Sequence, residues 1–211
     1  EPRGSGRTPV GGASAAGADP DRTSSARWGR VAPHIAAELP GLGLASVEVD
    51  GGQSRSPEQV RRRLRDVSDR FFGAKAVRMR ERPIPWAYRV FFRQIGLDPD
   101  QTRTPVEQLA LERLQDGAFK SRGMPADALT IATVETGVAL RVFDAERLRG
   151  ELCIRDSAPG ESLPGGSGEL TQGTLTVADE RTPVAPLLGK LAEERAVSRG
   201  TSRIAIVAVQ V

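Results

Sequence analysis

The 211-residue chain has one cysteine, Cys153, and one histidine, His34. A single cysteine excludes an internal disulfide and a cysteine-based zinc site. A single histidine excludes a His-cluster metal site. Any Ser/His/Asp triad would have to use His34. Cys153 reads as a small core residue on a strand. His34, beside Pro33, reads as structural or solvated. No apolar run approaches transmembrane length, and the N-terminus has no apolar leader core. The expectation is a cytoplasmic protein with no metal, no cofactor and no membrane partner.

Charge is what the chain does have. Residues 61–103 carry 12 basic and 5 acidic side chains, whereas residues 104–211 carry 12 and 15. Such a concentration of cations is a footprint for phosphate. Residues 1–26 are rich in Gly, Ala, Ser, Pro and Arg and cannot bury enough surface to offset their ordering entropy. They are expected to be a disordered tail. Residues 27–211 are expected to be a single domain, helical and basic over 56–120 and β-rich over 126–211.

The most informative stretch runs from Pro83 to Pro105. Ile84, Tyr88, Phe91, Phe92 and Ile95 recur at three- and four-residue steps, the apolar face of a helix. Gly96 sits where a left-handed residue ends a helix, and Pro99 blocks its continuation. Thr104 then caps a second helix, with Pro105 at its first position and Glu107 closing a capping box. Val106, Ala110 and Leu114 give that helix a core face, flanked by Leu109 and Leu111.

On either side the pattern is plainer. Trp28 to Leu39 reads as a short helix, and Leu42 to Val49 as a strand. Ser56-Pro57-Glu58-Gln59 reads as a capped helix start, followed by the stripe Val60, Leu64, Val67, Phe71. Arg61, Arg62, Arg63, Arg65 and Arg70 cover the rest of that helix. Arg62/Asp66 and Arg65/Asp69 are spaced for weak ion pairs. The surface is either a solvated face or an RNA-facing one. Ala74 to Arg82 reads as a basic strand or linker, placing Arg78, Arg80 and Arg82 on one side. Trp86 and Tyr88 beside arginines suit base stacking, although aromatics at helical spacing are more often core.

From Ala126 the texture changes. Ala126 to Val134 reads as a buried helix. Strands follow at Ala139–Asp144, Leu152–Arg155, Thr174–Asp179 and Ile204–Val211, with an apolar segment from Thr182 to Leu188. The fold class is therefore α+β. A β-rich, sandwich-type core carries flanking helices contributed mainly by the N-terminal half. Asp144 and Asp179 sit at turns, where aspartate commonly accepts from backbone amides.

The ordered series Asp127, Gly137, Phe143-Asp144, Arg155, Gly160-Glu161, Val177-Ala178-Asp179, Pro183 to Gly189, Thr201 and Ile204 to Val209 resembles the B3/B4 domain of the phenylalanyl-tRNA synthetase β subunit. Pro85-Trp86-Ala87-Tyr88-Arg89 and the Gly96 to Pro105 turn resemble its stand-alone bacterial form. The likeness covers roughly Trp28 to Val211. In the full synthetase that domain hydrolyses tyrosine mischarged onto tRNA-Phe. The resemblance therefore implies a B3/B4-like fold and tRNA or aminoacyl-tRNA as partner. It also implies trans-editing of the ester, which this chain's own residues count against.

The family's editing threonine and histidine fall on Leu129 and Arg141. Leucine cannot hydrogen-bond an ester or water. Arginine cannot serve as a general base. Hydrolysis would have to rely on Thr130 or Glu135 as weak catalytic candidates. Thr133, Thr136, Gly137, Arg141 and Asp144 are the ligand-binding candidates, with Arg141 suited to a carboxylate or phosphate. Arg61, Arg62, Arg65, Arg78, Arg80, Arg89 and Arg93 are the RNA-binding candidates. Arg141 reads equally as an exposed strand arginine, or as the ion-pair partner of Asp144 or Glu146. The residues leave three functions open: an RNA-related module, a non-catalytic domain for an amino-acid-like or anionic small molecule, or a structural or interaction protein with no ligand. They do not say whether an ester is cleaved or how many copies assemble.

Overall fold

A computed structural model of the chain describes residues 25–71, 73–166, 168–189 and 191–211. The expected tail lies outside them as far as residue 24. Two four-stranded sheets face each other. One has the order β1 (Arg27–Trp28), β3 (Gly43–Asp50), β8 (Arg203–Gln210), β4 (Ala139–Asp144) and is antiparallel throughout. The other has β2 (Arg30–Val31), β5 (Cys153–Asp156), β6 (Leu175–Ala178), β7 (Pro183–Pro186), with β2 parallel to β5.

The chain changes sheets at Gly29. Its N–H donates to the Leu44 carbonyl, while the next N–H, of Arg30, donates to Leu152. A side chain at residue 29 would put Cβ 2.4 Å from the Leu152 carbonyl oxygen. Only glycine allows the crossing so close to another backbone.

Inward residues of both sheets form one core: Leu44, Phe143, Val207 and Val209 against Ile154, Val177, Val184 and Ala185. Helix α4 (Pro83–Gln94) adds Tyr88, Phe91 and Phe92 to it. The Tyr88 hydroxyl donates to the Val209 carbonyl and accepts from the Ala139 N–H at 2.9 Å. It thereby ties α4 to β8 and β4. Burial raises the phenol pKa, partly offset by the Ala139 amide.

A second core joins the helices: Val67 from α2 (Glu58–Arg70), Phe71 and Met79, Val106 and Ala110 from α5 (Pro105–Asp116), and Val134 from α6 (Ala126–Thr136). Phe71 stacks on Phe119 with centroids 5.9 Å apart. Burying each such side chain is worth about 1.5–3 kcal/mol. The α+β class, with a sandwich core and helices mainly from the N-terminal half, is what the pattern predicted. No helix of the described residues is long and apolar enough to cross a membrane.

The locally signalled ends of α4 and α5 form as expected. Gly96 and Leu97 donate to the Arg93 and Phe92 carbonyls, the paired bonds of a Schellman ending. Glu107 accepts from the Thr104 N–H at 3.1 Å, closing the capping box.

Other expectations are corrected. Trp28 to Leu39 is two short strands and only then a helix, α1 (Pro33–Glu38). Ala74 to Arg82 is no strand: α3 (Ala74–Arg78) runs into a 3-10 turn, Met79–Glu81. Arg78, Arg80 and Arg82 therefore do not alternate along a strand. Ser56 caps nothing. Its hydroxyl goes to Asp127, 71 residues away, at 2.7 Å. Ile84 is 43% exposed and Leu114 54%, so each apolar face is narrower than the spacing implied. Pro85 takes the buried place at the start of α4.

Candidate functional site

A cavity of about 490 Å³ opens where α5, α6, β4 and the end of β7 meet. Its apolar lining includes Phe92, Leu109, Leu129, Leu140, Leu187 and Leu188. Its polar lining is Thr102, Arg103, Gln108, Arg122, Thr130, Thr133 and Arg141. Among the described residues, three cations and no carboxylate face the space.

Each cation has an identifiable support. Arg141 lies on β4 opposite Val207, in register with Ala139 and Phe143, which are buried. Its side chain therefore starts on the inward face of the sheet. Its Nη1 donates to the Pro186 carbonyl at 2.8 Å, across to the other sheet. Neither alternative reading of Arg141 holds. It is not an exposed strand residue, and Asp144 and Glu146 are engaged elsewhere. Asp144 takes the Thr201 hydroxyl at 2.7 Å and Arg147 at 3.3 Å, and Glu146 takes Ser202 at 2.6 Å. No described carboxylate pairs with Arg141. Burial, unopposed, pushes its guanidinium down to about 10.

Arg122 is held through its backbone. Asp127, 1% exposed at the start of α6, accepts from the Ser56 hydroxyl at 2.7 Å, the Ser121 hydroxyl at 2.5 Å and the Arg122 N–H at 2.7 Å. Burial alone would raise this carboxyl. The bonds from Ser121, Arg122, Ser56 and Gly123 outweigh it and hold the pKa below its ordinary 3.8. The Arg122 guanidinium reaches Thr130 Oγ1 at 3.4 Å. Arg103 stands just before the capping box of α5 and is exposed at the rim.

Arg122 also lines a neighbouring cleft of about 680 Å³, with Arg55, Arg61, Arg199, Ser54, Ser56 and Ser121. Among the described residues this cleft too has no acidic lining. Arg61 gives one amine to Glu58 at 2.5 Å, and its buried Nε has no hydrogen-bond partner among the described residues.

The expected residues divide sharply. Thr130, Thr133 and Arg141 line the cavity. Glu135 points out to Arg63 on α2. Thr136 bonds its own helix, to the Ala132 carbonyl at 2.7 Å. Gly137 ends α6 with φ +81°, and a Cβ there would meet Pro85 Cδ at 2.8 Å, so it serves the backbone. Asp144 serves the turn into residues 145–147, as its position suggested, and Asp179 likewise accepts from the Arg181 and Thr182 amides.

Among the arginines expected to meet RNA, Arg62, Arg78 and Arg80 are exposed. Arg61 and Arg65 are both engaged by Glu58, not spread over the helix in the expected pairs. Arg93 lies 5.8 Å from the centroid of Trp86, which is 49% exposed, whereas Tyr88 is core. Arg89 is 5% exposed and bound by Asp100 at 2.5 Å and Glu107 at 2.7 Å, so it meets no partner from outside. Arg155 and Glu161 form a two-point pair at 2.5 and 2.8 Å, which makes them structural. Sequence reasoning missed Arg103, Arg122, Arg55 and Arg199. The available signal was position: Arg103 and Arg122 each precede a helix start by a few residues.

Among the described residues no group of three His, Cys, Asp or Glu side chains is placed to hold a metal ion. No protein-family model matches the chain. Curated relatives do. The phenylalanine–tRNA ligase beta subunit of Methylococcus capsulatus is 35% identical over 97 residues, 44% of this chain and 12% of that protein. That of Neisseria meningitidis serogroup A is 35% identical over 100 residues, 45% and 12%. That of Legionella pneumophila strain Lens is 31% identical over 77 residues, 35% and 10%. The match therefore spans about a tenth of the length of these relatives. Over somewhat less than half of its residues, the chain is related to part of the phenylalanine–tRNA ligase beta subunit.

Proposed function

We propose that this chain is an RNA-related module that binds tRNA or aminoacyl-tRNA. Its relatives are tRNA ligase subunits. The observation that carries the reading is the acid-free cleft of Arg55, Arg61, Arg122 and Arg199. Arg55, Arg122 and Arg199, with Arg61 partly held by Glu58, suit the phosphates of a backbone. The cleft shares Arg122 with the cavity. Exposed Arg62, Arg78 and Arg80 add a wider positive field.

Ester hydrolysis is not part of the proposal. Of the two catalytic candidates Thr130 reaches the cavity, and among the described residues no carboxylate or imidazole lines it to accept a proton.

The test is filter binding of uncharged tRNA and of tyrosyl-tRNA-Phe at two salt concentrations, with a deacylation assay beside it. Binding should weaken steeply with salt, by roughly one power of salt per phosphate contacted. Arg55→Ala with Arg199→Ala should flatten that slope by about two contacts. Deacylation should stay at the buffer rate. Absence of binding at low salt overturns the reading. Ester cleavage lost on Thr130→Val would replace binding alone with trans-editing.

A further inference from the structure

The cavity at Arg141 carries an inference that does not rest on RNA. A guanidinium that starts on the inward face of a sheet is normally met by a carboxylate, because burying a lone cation costs several kcal/mol. Arg89 in this same molecule is met by two. Arg141 is met by one neutral carbonyl, from Pro186, which fixes its direction and leaves its other donors free for a ligand. Arg103 and Arg122 stand across the same space, beside the Thr130 and Thr133 hydroxyls. Arg141 is half-buried, and an anionic occupant would supply the counter-charge that the described lining does not.

The rest of the lining sets the occupant's other end. Phe92, Leu109, Leu129, Leu140, Leu187 and Leu188 offer an apolar bed, in a volume suited to a small molecule. The absence of any lining Asp or Glu is equally specific. An ammonium group entering here would find three like charges and no counter-ion. A zwitterionic amino acid is therefore disfavoured at the end where its amine would sit.

We propose that this cavity binds a small carboxylate- or phosphate-bearing ligand with an apolar body and no cationic group, its oxyanion seated on Arg141. The ligand is either a free small molecule or an anionic terminus carried on RNA. The shared chemistry is the same.

A matched set of probes tests this by titration calorimetry on the whole chain. 3-Phenylpropanoate differs from L-phenylalanine by lacking the ammonium group, and from 3-phenylpropanamide by its charge. The propanoate should bind about tenfold or more tighter than either, the discrimination a charge-assisted hydrogen bond supplies. Arg141→Met should abolish the preference. Arg103→Ala with Arg122→Ala, which leaves the sheet untouched, should weaken it and guards against a folding defect in the first variant. Equal binding of the three probes, tighter binding of phenylalanine, or an unchanged preference in Arg141→Met each overturns the proposal. A short RNA with a 3′-phosphate is then added to the propanoate complex. Displacement by this RNA but not by the same RNA ending in a 3′-hydroxyl identifies RNA as the carrier of the anion, and retention identifies a free small molecule. Either result supports the seat on Arg141.

Discussion

Arg89 and Arg141 are both drawn into the protein, and they teach opposite lessons. Arg89 sits at the corner of α4 and α5, where Asp100 and Glu107 close on it. Those hydrogen bonds raise its pKa, from Asp100 first, against the opposing pull of burial. Asp100 is correspondingly held below its usual range, chiefly by the Arg89 bond. Glu107 serves twice, since it also accepts from Thr104 at the start of α5. The cation there is part of the architecture. Arg141 has burial acting on it and no carboxylate to oppose it. A half-buried cation without a carboxylate among the described residues is a candidate seat for an outside anion.

Breaking each site should separate the two roles. The largest effect is expected at Arg89→Met, which strands Glu107 without its cation. Urea unfolding should show a loss of about 3 kcal/mol. Next comes Asp127→Asn, which weakens three hydrogen bonds at once and should cost about 1–3 kcal/mol. That loss has a pH signature. The Asp127 pKa is depressed in the folded protein, so its stabilisation is complete above the ordinary carboxylate value of 3.8. It disappears as pH falls through the lower folded value. Wild-type and variant stabilities should therefore converge in acid, and a gap that persists there would remove the charge from the account.

Arg141→Met should move the other way, from neutral to about 1 kcal/mol more stable, because an uncompensated cation is replaced by an apolar side chain. A clear destabilisation would erase the contrast with Arg89. The smallest effect is expected at Arg62→Ala on the exposed side of α2, within about 0.5 kcal/mol in unfolding. Its consequence should appear only in the salt dependence of tRNA binding.

The parts of the fold that could be read from the sequence are those whose causes are local. The Gly96 ending and the Thr104–Glu107 cap lie within a few residues of the helices they bound. Strands β4, β6 and β8 followed from alternation or from an unbroken apolar run. Ser56 was misread because its hydroxyl serves Asp127, far away in sequence, and not the helix beside it. The Arg78-Arg80-Arg82 alternation, with buried Met79 between two exposed arginines, mimicked a strand although the segment is helical. At the site, Arg141, Thr130 and Thr133 were visible in the sequence. Arg103 and Arg122 were not, since the cavity exists only once α5, α6, β4 and the end of β7 come together. Arg89 failed as a surface residue for a related reason: Asp100 and Glu107 follow it by a turn and a helix start, and only folding brings them back.

Arg122 faces both the cavity and the cleft. One guanidinium cannot give its full charge to two anions at once. If anions occupied both spaces, any change that one made in the affinity of the other would be matched by the same factor in return. The two spaces are thus joined as a single account of positive charge, in which a small molecule and a nucleic acid would sense each other without touching.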